Sequence, residues 1–291
     1  MQDVLDIKVT RLSPAGGAEI SGVDLSRDLT PAEVAAIKQA WNENLVLVFR
    51  KQTLTQEQQL RFAANFGPLG NRKVAQANEE IRHRAEGVMQ TDSRVLLVSN
   101  KKVDGQPVGA FGDGEMWFHI DSGYAERPYL YSFLFAEELP STGGNTLFAN
   151  MYKAYEQVPA DLKARLADKK ALHIHEYARS SKTRIPADLS KSLHYFHPLF
   201  TRHPATGRLT LFVDRLMTQR IEGVSPEESD AILEQLYELG ERKENIYEHV
   251  WQLGDFLMWD NRATIHARTW FPPEETRLLR RCTVEGEPIQ G

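Results

Sequence analysis

The sequence predicts a mainly β fold with peripheral helices, either a barrel or a double-sheet jelly roll. From Trp117 onward, short segments rich in β-branched and aromatic residues follow one another, and turns that contain Gly or Pro separate them. A few helical segments accompany them, and this combination is typical of closed or two-layered β architectures. The 291 residues show no internal repeat and no break in composition, so a single domain over residues 1–291 is expected.

Composition and charge exclude several classes of protein. Hydrophobic residues make up 41% of the chain and charged residues 26%, which is typical of a globular protein. The net charge of −5 gives no broad basic surface, so neither nucleic acid nor an anionic membrane is an expected partner. The single cysteine, Cys282, cannot form an internal disulfide, which fits a reducing compartment.

No targeting or membrane segment is predicted. The first residues, MQDVLDIKVTRL, carry charges where a signal peptide needs an apolar core. No apolar run approaches the ~20 residues that a membrane-spanning helix requires. Together with the lone cysteine, these features predict a soluble protein of the cytoplasm.

Two helices and a buried strand are predicted in the first 70 residues. Thr30 can cap a helix and Glu33 stands three residues later, which is the pattern of a capping box. Thr55 and Gln58 repeat the pattern at the start of a second helix. Between the helices, the apolar run LVLVFR at residues 45–50 predicts a buried strand. These elements are expected to be scaffold.

Residues 70–116 are polar and irregular except for the predicted strand VLLVSN. Segments of this length without regular structure are uncommon inside a compact domain, and those that occur are often functional. The sequence therefore predicts an insert at about residues 71–116 that serves as an active-site lid. The alternative is a solvent-exposed surface loop without a role in the active site.

The elements that follow are mostly strands. A helix near Ala154–Leu166 interrupts them, another helix opens at Ser225, and a hairpin turns around Gly207. The predicted strands lie in WFHIDSGY, YLYSFLFAEEL, NTLFANM, HPLFTRHPATGRLTLFV, DFLMWDN and TRLLRRCTVEG. Short strands in this number support the predicted β fold.

The segment His119-Ile120-Asp121 is the first candidate for chemistry. On a strand, residues i and i+2 face the same side, so one imidazole and one carboxylate would project into one cavity. That is two-thirds of the facial triad, which binds Fe(II) and leaves positions open for a cosubstrate and O₂. Alone, such a pair is more often a surface histidine beside a solvated aspartate.

Three further residues favour the metal site. Thr146 follows a Gly-Gly turn, His266 lies far downstream, and Arg277 comes shortly after it in a strand-like segment. A distant strand can supply the third ligand in a jelly roll because the two sheets face a common interior. A guanidinium offers two parallel hydrogen bonds to a carboxylate and a threonine hydroxyl offers another, so Thr146 and Arg277 suit the far end of a dicarboxylate.

These residues and their order resemble the TauD/TfdA family of 2-oxoglutarate-dependent dioxygenases. The pattern of that family is His-x-Asp, a Thr or Ser about two dozen residues later, and a distal His followed by Arg. The resemblance covers the chain nearly end to end, except for residues 71–116. The scaffold segments that carry it are GAEISGVDL, LVFRKQTLTQEQQLRFAANFGPL, ELPSTGGNTLFANM, HPLFTRHPATGRLTLFV and LGDFLMWDNRATIHAR.

The resemblance implies a double-stranded β-helix, the cupin-like jelly roll, with an iron site inside it. By resemblance, His119, Asp121 and His266 hold Fe(II), and Thr146 and Arg277 bind the carboxylate of 2-oxoglutarate that is remote from the iron. Because Asp121 is present, hydroxylation is favoured over halogenation. Members of the family are commonly dimers or tetramers, so a homo-oligomer is expected.

The implied reaction consumes 2-oxoglutarate and O₂, releases succinate and CO₂, and hydroxylates a small anionic substrate. The expected substrates are sulfonates, sulfates, carboxylates and aryloxyalkanoates. Hydroxylation next to a heteroatom would give an unstable product, which collapses with cleavage of a C–S, C–O or C–N bond.

Arg281 is the candidate residue for binding the substrate anion. It follows Arg277 by four positions on a predicted strand, so both side chains should face the site, while Arg280 should face away. The resemblance to taurine-oxidising members gives the Arg281 position the same role. Arg72 is a second candidate for the anion, and Tyr124 is a candidate pocket wall. The structural alternatives for these three candidates are an ion pair, a loop charge and core packing.

Three other functions remain open from the sequence. They are a catalytically silent jelly-roll protein that binds an anion, a zinc hydrolase with the same ligands, and a desaturase or epimerase with the same iron site. His173 and His175 are also spaced by two, but no third ligand accompanies them. Trp259, Asp260 and Asn261 precede the distal histidine and are expected to brace its loop.

Overall fold

The computed structural model of the protein describes residues 6–70, 92–175 and 188–291. The strands are β1 (Lys8–Arg11), β2 (Ala18–Ser21), β3 (Val46–Phe49), β4 (Leu96–Ser99), β5 (Lys102–Val103), β6 (Gln106–Pro107), β7 (Ala110–Phe111), β8 (Met116–His119), β9 (Tyr131–Glu138), β10 (Thr146–Asn150), β11 (Lys170–Ile174), β12 (His194–Pro198), β13 (Phe200–Arg202), β14 (Leu209–Leu211), β15 (Thr218–Ile221), β16 (Ile246–His249), β17 (Phe256–Asp260), β18 (Thr264–Arg268) and β19 (Leu278–Val284). The helices are α1 (Pro31–Asn44), α2 (Gln56–Ala64), α3 (Met151–Gln157), α4 (Ala160–Leu166) and α5 (Pro226–Gly240).

Two sheets build the body of the fold. The major sheet has the order β1-β2-β3-β17-β9-β19-β4-β7, and the minor sheet has the order β16-β10-β18-β8. Most neighbouring strands are antiparallel and far apart in the chain. The apolar faces of the sheets pack on each other, since Phe148 of the minor sheet lies in one cluster with Leu257 and Leu279 of the major sheet. The fold is a double-stranded β-helix, and the predicted jelly roll is confirmed.

The centre of the major sheet is fully buried. Every residue of β3 and β17 is buried, which explains the continuous apolar runs in these parts of the sequence. Helices α1 and α2 cover one face, where Trp41 and Phe62 share a cluster with Phe133 and Phe256 of the sheet. Burial of a side chain of this size stabilises the fold by roughly 1.5–3 kcal/mol. The major sheet is thus a rigid wall for what lies on its other face.

Both predicted capping boxes are present. Thr30 Oγ1 accepts a hydrogen bond from the Glu33 amide, and the Glu33 carboxylate accepts one from the Thr30 amide. Thr55 and Gln58 make the same reciprocal pair at the start of α2. Each box satisfies amide groups that the first turn of a helix would otherwise leave unpaired. Ser225 caps α5 at the predicted position.

The helix predicted near Ala154–Leu166 is two helices, so that prediction was wrong in its boundaries. α3 begins three residues earlier than predicted, and α4 follows it after a two-residue break. Pro159 causes the break because it has no amide hydrogen and disfavours helical geometry in the residue before it. Val158 accordingly has φ −63° and ψ 130°, which is an extended conformation.

The predicted insert at residues 71–116 divides into two parts. Residues 71–91, and the lid predicted there, lie outside the described residues. Residues 92–116 were expected to be loops around one strand, but they also contain β5, β6 and β7. β4 pairs with β19, and β7 pairs parallel to β4, so this segment extends the major sheet. Such two-residue strands are too short to show a periodicity. β5 and β6 pair with each other across the two-residue turn Asp104-Gly105, and β7 exists through its pairing with β4.

The remaining strands form smaller units outside the two main sheets. β12, β11 and β15 form a three-stranded sheet, and β13 pairs with β14 in the hairpin that was predicted around Gly207. The cluster beneath α3, α4 and α5 packs these units against the minor sheet, with Leu166 and Phe212 next to Ile265 of β18. None of the helices in the described ranges has the length and apolarity needed to cross a bilayer.

Candidate active site

A cleft between the two sheets encloses about 440 Å³, part of it open to solvent. Side chains from both sheets line it, including two histidines, three arginines and several apolar residues. The lining residues are Val98, Phe111, Met116, His119, Leu134, Thr146, Trp259, His266, Ala267, Arg268, Arg277 and Arg281. Five of the predicted site residues therefore meet in one place, namely His119, Thr146, His266, Arg277 and Arg281.

His119, Asp121 and His266 converge at this cleft. Each offers one ligand atom, and the three atoms lie within 4.8 Å of one another. The Nε2 atoms of His119 and His266 are 4.0 and 3.8 Å from Asp121 Oδ1, which is too far for hydrogen bonds. The three side chains thus point at a shared space without bonding to each other, an arrangement that one metal ion would bridge.

Strand pairing brings the two histidines together. His119 is the last residue of β8, and its Cα partner on the neighbouring strand β18 is His266. Asp121 lies in the turn that follows β8, beyond the end of the strand. His119 and Asp121 do face one space, but the predicted reason was partly wrong. The turn after β8 positions the Asp121 carboxylate, so the alternation of side chains along a strand does not by itself explain why it faces the histidines.

Both imidazoles are neutral, which is the form that binds a metal. Burial lowers the pKa of His119, and burial together with the adjacent His119 lowers the pKa of His266 well below its ordinary value. His119 Nδ1 lies 2.9 Å from the Trp117 carbonyl oxygen, so in the neutral ring it carries the proton and donates it there. His119 Nε2, which lies 4.0 Å from Asp121 Oδ1, then carries the free lone pair that a metal ion needs.

Asp121 is fixed through its backbone and through its carboxylate. Asn261 accepts a hydrogen bond from the Asp121 amide and donates one to its carbonyl oxygen, both at 2.9 Å. The Ser132 hydroxyl donates to Oδ2 at 2.6 Å, and Arg281 Nη2 lies 3.0 Å from Oδ1. Burial alone would raise the pKa of this carboxyl, but Arg281, the two histidines and Ser132 outweigh burial and lower the pKa. The group is therefore an ionised carboxylate.

Arg277 is a buried cation that no carboxylate compensates within the described residues. It is 3% exposed, and its Nε donates to the Gly144 carbonyl oxygen at 3.0 Å. Burial, and to a smaller extent Arg268, lowers the pKa of Arg277 to about 9, so the side chain is still charged at neutral pH. Gly144 has φ +66°, and a Cβ there would lie 3.0 Å from the Arg277 side chain, so glycine permits this close approach. A buried charge of this kind suits an anionic ligand.

A match with a known protein family decides the assignment of the chain. The model of the family described as taurine catabolism dioxygenase TauD, TfdA family, matches residues 8–283. The chain belongs to this family. The resemblance inferred from the sequence is confirmed, and with it the class of enzyme, an alpha-ketoglutarate-dependent dioxygenase, where alpha-ketoglutarate is another name for 2-oxoglutarate.

Individual relatives match over nearly their whole length. The chain is 33% identical over 290 residues to the (S)-phenoxypropionate/alpha-ketoglutarate-dioxygenase of Sphingobium herbicidovorans, which covers 96% of this chain and 95% of the relative. It is 33% identical over 299 residues to the alpha-ketoglutarate-dependent sulfate ester dioxygenase of Pseudomonas putida, with 99% and 92% covered. The crystal structure of AAD-2 in complex with Mn(II) and N-oxalylglycine has a TM-score of 0.80 at 30% identity, with 98% and 99% covered.

The cleft of this TauD/TfdA dioxygenase contains a third arginine that sequence reasoning missed. Arg268 Nε donates to the Gly114 carbonyl oxygen at 2.9 Å, and its Nη2 donates to the carbonyl oxygens of Phe111 and Asp113 at 2.9 and 3.0 Å. It thereby ties the strand of the distal histidine to the segment that places Phe111 in the cleft wall. Arg268 lies two residues after His266 on β18, so the alternation rule that was applied to Arg277 and Arg281 could have found it.

Of the other two residues predicted to bind substrate, one lies outside the described residues and the other is not among the residues that line the dioxygenase cleft. Arg72 lies outside the described residues. Tyr124 packs edge-on against His175, with 4.4 Å between the ring centroids, and joins the cluster of Met116 and Leu216. The prediction that Tyr124 forms a wall of this cleft is corrected: Met116 of the same cluster lines the cleft, and Tyr124 does not.

Three further residues near the TauD/TfdA site were given roles from the sequence, and their contacts show where each one lies. Arg280 pairs with Glu137 at 3.1 Å and is not among the residues that line the cleft, as the alternation predicted. His173 contacts Thr218 Oγ1 at 3.1 Å, and within the described ranges it belongs to no group of metal-ligating side chains. Asn261 braces the turn of Asp121, whereas its predicted role was in the loop of the distal histidine.

Proposed function

We propose that this TauD/TfdA dioxygenase uses Fe(II), 2-oxoglutarate and O₂ to hydroxylate a small organic anion of the aryloxyalkanoate or sulfate ester type. The proposal rests on the side chains that meet in one cleft. A cluster of two imidazoles and one carboxylate stands beside a buried guanidinium that lacks a carboxylate partner in the described chain. The cluster suits a metal ion, and the guanidinium suits the carboxylate of a cosubstrate.

The three ligand candidates fit Fe(II). His119 and His266 offer neutral nitrogen atoms, and Asp121 offers an anionic oxygen, which together are the donor set of the facial triad. Ser132 and Asn261 hold the carboxylate and its backbone, so the ligand is oriented before a metal arrives. When bound there, Fe(II) supplies the activation of O₂ that is coupled to decarboxylation of 2-oxoglutarate to succinate and CO₂.

Thr146 and Arg277 would bind the carboxylate of 2-oxoglutarate that is remote from the metal. Both side chains are 3% exposed, and both line the cleft that contains the two histidines. The planar guanidinium offers donors in the geometry of a carboxylate, and each charge-assisted hydrogen bond contributes roughly 1.5–3 kcal/mol. The ligand would also neutralise the buried charge of Arg277, which adds to its affinity.

Arg281 would bind the anionic group of the substrate. Its guanidinium lies next to the Asp121 carboxylate, and its buried Nε has no hydrogen-bond partner within the described residues. Val98, Phe111 and Leu134 add apolar surface to the same cleft. An anionic group on an apolar body matches both features, and relatives named for phenoxypropionate and sulfate esters have substrates of this kind.

The position of the new hydroxyl group would determine the products. Hydroxylation of the carbon next to an ether or sulfate ester oxygen gives a hemiacetal-type product. This product collapses when its hydroxyl proton is lost, the C=O bond forms, and the C–O bond to the leaving group breaks. The leaving oxygen departs as a phenolate, which takes up a proton to give the phenol, or as sulfate. The role of the protein is to hold the reacting C–H next to the metal site in a partly closed cleft.

The first experiment tests the metal ligand that the turn after β8 positions. Asp121→Ala should abolish succinate formation coupled to substrate oxidation in the presence of Fe(II) and O₂, because the anionic ligand is lost. The exposed Asp161→Ala serves as the matched control and should keep full activity. Undiminished coupled turnover by the Asp121 variant would refute the assignment. Substrate turnover without O₂ would instead favour a zinc hydrolase.

The second experiment tests the substrate class and the division of roles between two arginines. O₂ consumption is screened with aryloxyalkanoates, alkyl sulfates and sulfonates, and a hit identifies the class. With that substrate, Arg281→Ala should raise the substrate KM roughly tenfold or more, while the KM for 2-oxoglutarate changes little. If the KM for 2-oxoglutarate rises instead, the roles given to Arg277 and Arg281 are reversed.

The organisation and location of the protein are part of the same proposal. Residues 1–291 would act as one catalytic domain, because the family match spans residues 8–283 and the cleft draws on residues from Val98 to Arg281. The enzyme would be a homo-oligomer of the cytoplasm, with Cys282 as a free, buried thiol. Light scattering of the purified chain measures the oligomeric state, and a monomer would contradict that part.

A further inference from the structure

A tryptophan outside the predicted site contacts the proposed cosubstrate residue. Trp251 Nε1 lies 3.0 Å from Thr146 Oγ1, and both groups are buried. Within the described residues this indole is the only hydrogen-bond partner of the Thr146 hydroxyl. The indole N–H can only donate, so Thr146 Oγ1 must accept in this contact.

The direction of that hydrogen bond decides what the hydroxyl can do for a ligand. A threonine hydroxyl has one proton and two lone pairs, and it rotates to suit its surroundings. Because Trp251 occupies a lone pair of Thr146, the hydroxyl proton is turned away from the indole and remains available. A carboxylate only accepts hydrogen bonds, so it requires a donor at this position.

A buried network holds the indole in place. The Trp251 ring stands edge-on to His249 at 4.5 Å between ring centroids. His249 Nε2 lies 3.1 Å from Asp255 Oδ2, and its Nδ1 lies 3.1 Å from the Tyr247 hydroxyl. Burial lowers the pKa of His249, so the neutral ring donates to Asp255 and accepts from Tyr247. These bonds are made entirely between residues of the protein, and they hold Trp251 in its orientation.

We propose that Trp251 is a positioning residue for the cosubstrate: its indole N–H fixes the Thr146 hydroxyl as a donor to the remote carboxylate of 2-oxoglutarate. The inference rests on the proposed function of the cleft and adds a residue that does not itself line it. Arg277 and Thr146 then both present donors to the ligand. Because the hydroxyl is already oriented, binding of the ligand carries no free-energy cost for rotating it.

The test is a double-mutant cycle on ligand affinity, measured by calorimetry with Mn(II) and 2-oxoglutarate under anaerobic conditions. Trp251→Phe removes the donor and leaves a smaller aromatic ring beside Arg277, whose guanidinium lies 6.0 Å from the Trp251 ring, and affinity should fall roughly three- to tenfold. In a Thr146→Val background, which has no hydroxyl to orient, Trp251→Phe should have no further effect. In a Thr146→Ser background, which keeps the hydroxyl, the loss should return.

Trp41→Phe is the matched control for removing a buried indole hydrogen bond. Trp41 Nε1 donates to the Leu45 carbonyl oxygen at 2.9 Å, away from the cleft. This variant should lose some thermal stability and keep the affinity for 2-oxoglutarate. If Trp251→Phe costs the same in the Thr146→Val background as in the native sequence, Trp251 acts through general packing, and the proposal is overturned.

A spectroscopic measurement tests the contact without any change at Trp251. The five tryptophans give five indole N–H signals in ¹⁵N-labelled protein, and Thr146→Val should shift one of them far more than Thr146→Ser does. Equal shifts in both variants would overturn the contact. Absence of 2-oxoglutarate binding by the unaltered protein would overturn both this inference and the proposed function, whereas additive losses of affinity would overturn this inference alone.

Discussion

At neutral pH, Arg277 is a charged guanidinium in a buried position, and within the described residues no carboxylate balances it. Its pKa is lower in the folded chain, at about 9, than its ordinary value. The unfolded chain therefore binds the proton more tightly, so the charge opposes folding at every pH below about 9 and less so as the pH rises above it. We expect a bound anion to compensate this buried charge and so to remove the destabilisation.

Arg277→Met should consequently stabilise the free protein while abolishing its affinity for 2-oxoglutarate. Methionine fills a similar volume without a charge, and we expect the free energy of unfolding to rise by about 1 kcal/mol at pH 7. Urea unfolding measures the stability, and calorimetry measures the affinity. Arg165→Met, which removes an exposed ion pair with Glu228, is the control and should change stability by less than about 0.5 kcal/mol. A large loss of stability in Arg277→Met would show that the charge is compensated.

Single residues of the site differ in how far the sequence could predict them. The spacing of His119, Asp121 and His266, together with the family resemblance, predicts that their side chains meet, and they do. Arg268 follows the same alternation as its neighbours and was predictable in principle. Trp251 was not predictable, because its contact with Thr146 depends on the pairing of β16 with β10, and no local pattern reports that pairing.

Among the elements, α1 begins with a charged residue whose contribution to stability depends on pH. The Glu33 carboxylate accepts from the Thr30 amide and pairs with Arg27. Arg27 lowers the pKa of Glu33 most, burial opposes this, and Thr30 adds to the lowering, so the pKa falls from 4.5 to about 2. Because the folded chain holds the carboxylate in its charged form, this contribution to stability is fully present above pH 4.5 and is lost as the pH falls through about 2.

Glu33→Gln tests this contribution at the level of the helix. Glutamine can keep the capping box, as Gln58 does in α2, but it cannot pair with Arg27. The variant should be less stable than the native sequence by roughly 0.5–1 kcal/mol at pH 7, and the difference should close between pH 4.5 and pH 2. Glu227→Gln in the first turn of α5 is the control and should show a smaller difference. A difference that does not depend on pH would contradict the ion-pair origin.

The elements that were predicted correctly are those with local causes. Capping boxes and buried apolar runs are written in consecutive residues, so α1, α2, β3 and β17 appear where the sequence indicates. The errors have local and non-local causes. Pro159 splits a helix, and a proline at this position is a local signal for such a break. The β5–β6 hairpin turns at Asp104-Gly105, a dipeptide typical of two-residue hairpin turns, whereas the pairing of β7 with β4 is not visible in a single sequence.

At the scale of the whole molecule, the cleft joins the two halves of the jelly roll. His266 and Thr146 stand on the minor sheet, whereas Arg277 directly precedes β19 of the major sheet. A ligand that contacts Thr146, Arg277 and a metal ion at once therefore ties the sheets together. Such a ligand binds only the folded chain, so its binding energy adds to the stability of the entire fold.

Mn(II) and 2-oxoglutarate together should therefore raise the unfolding temperature of the whole chain. At a ligand concentration of about 100 Kd the added stability is roughly 2.7 kcal/mol, which corresponds to about 5 °C or more for a chain of this size. Glutarate has both carboxylates but no keto group to chelate the metal, so it should give a smaller shift that does not depend on Mn(II). Arg277→Met should lose the shift with either ligand, and His266→Ala should lose only the part that Mn(II) adds. An equal 2-oxoglutarate shift with and without Mn(II) in the unaltered protein would mean that the ligand does not bridge from the arginine to the metal, and the two halves of the site would have to be assigned to separate ligands.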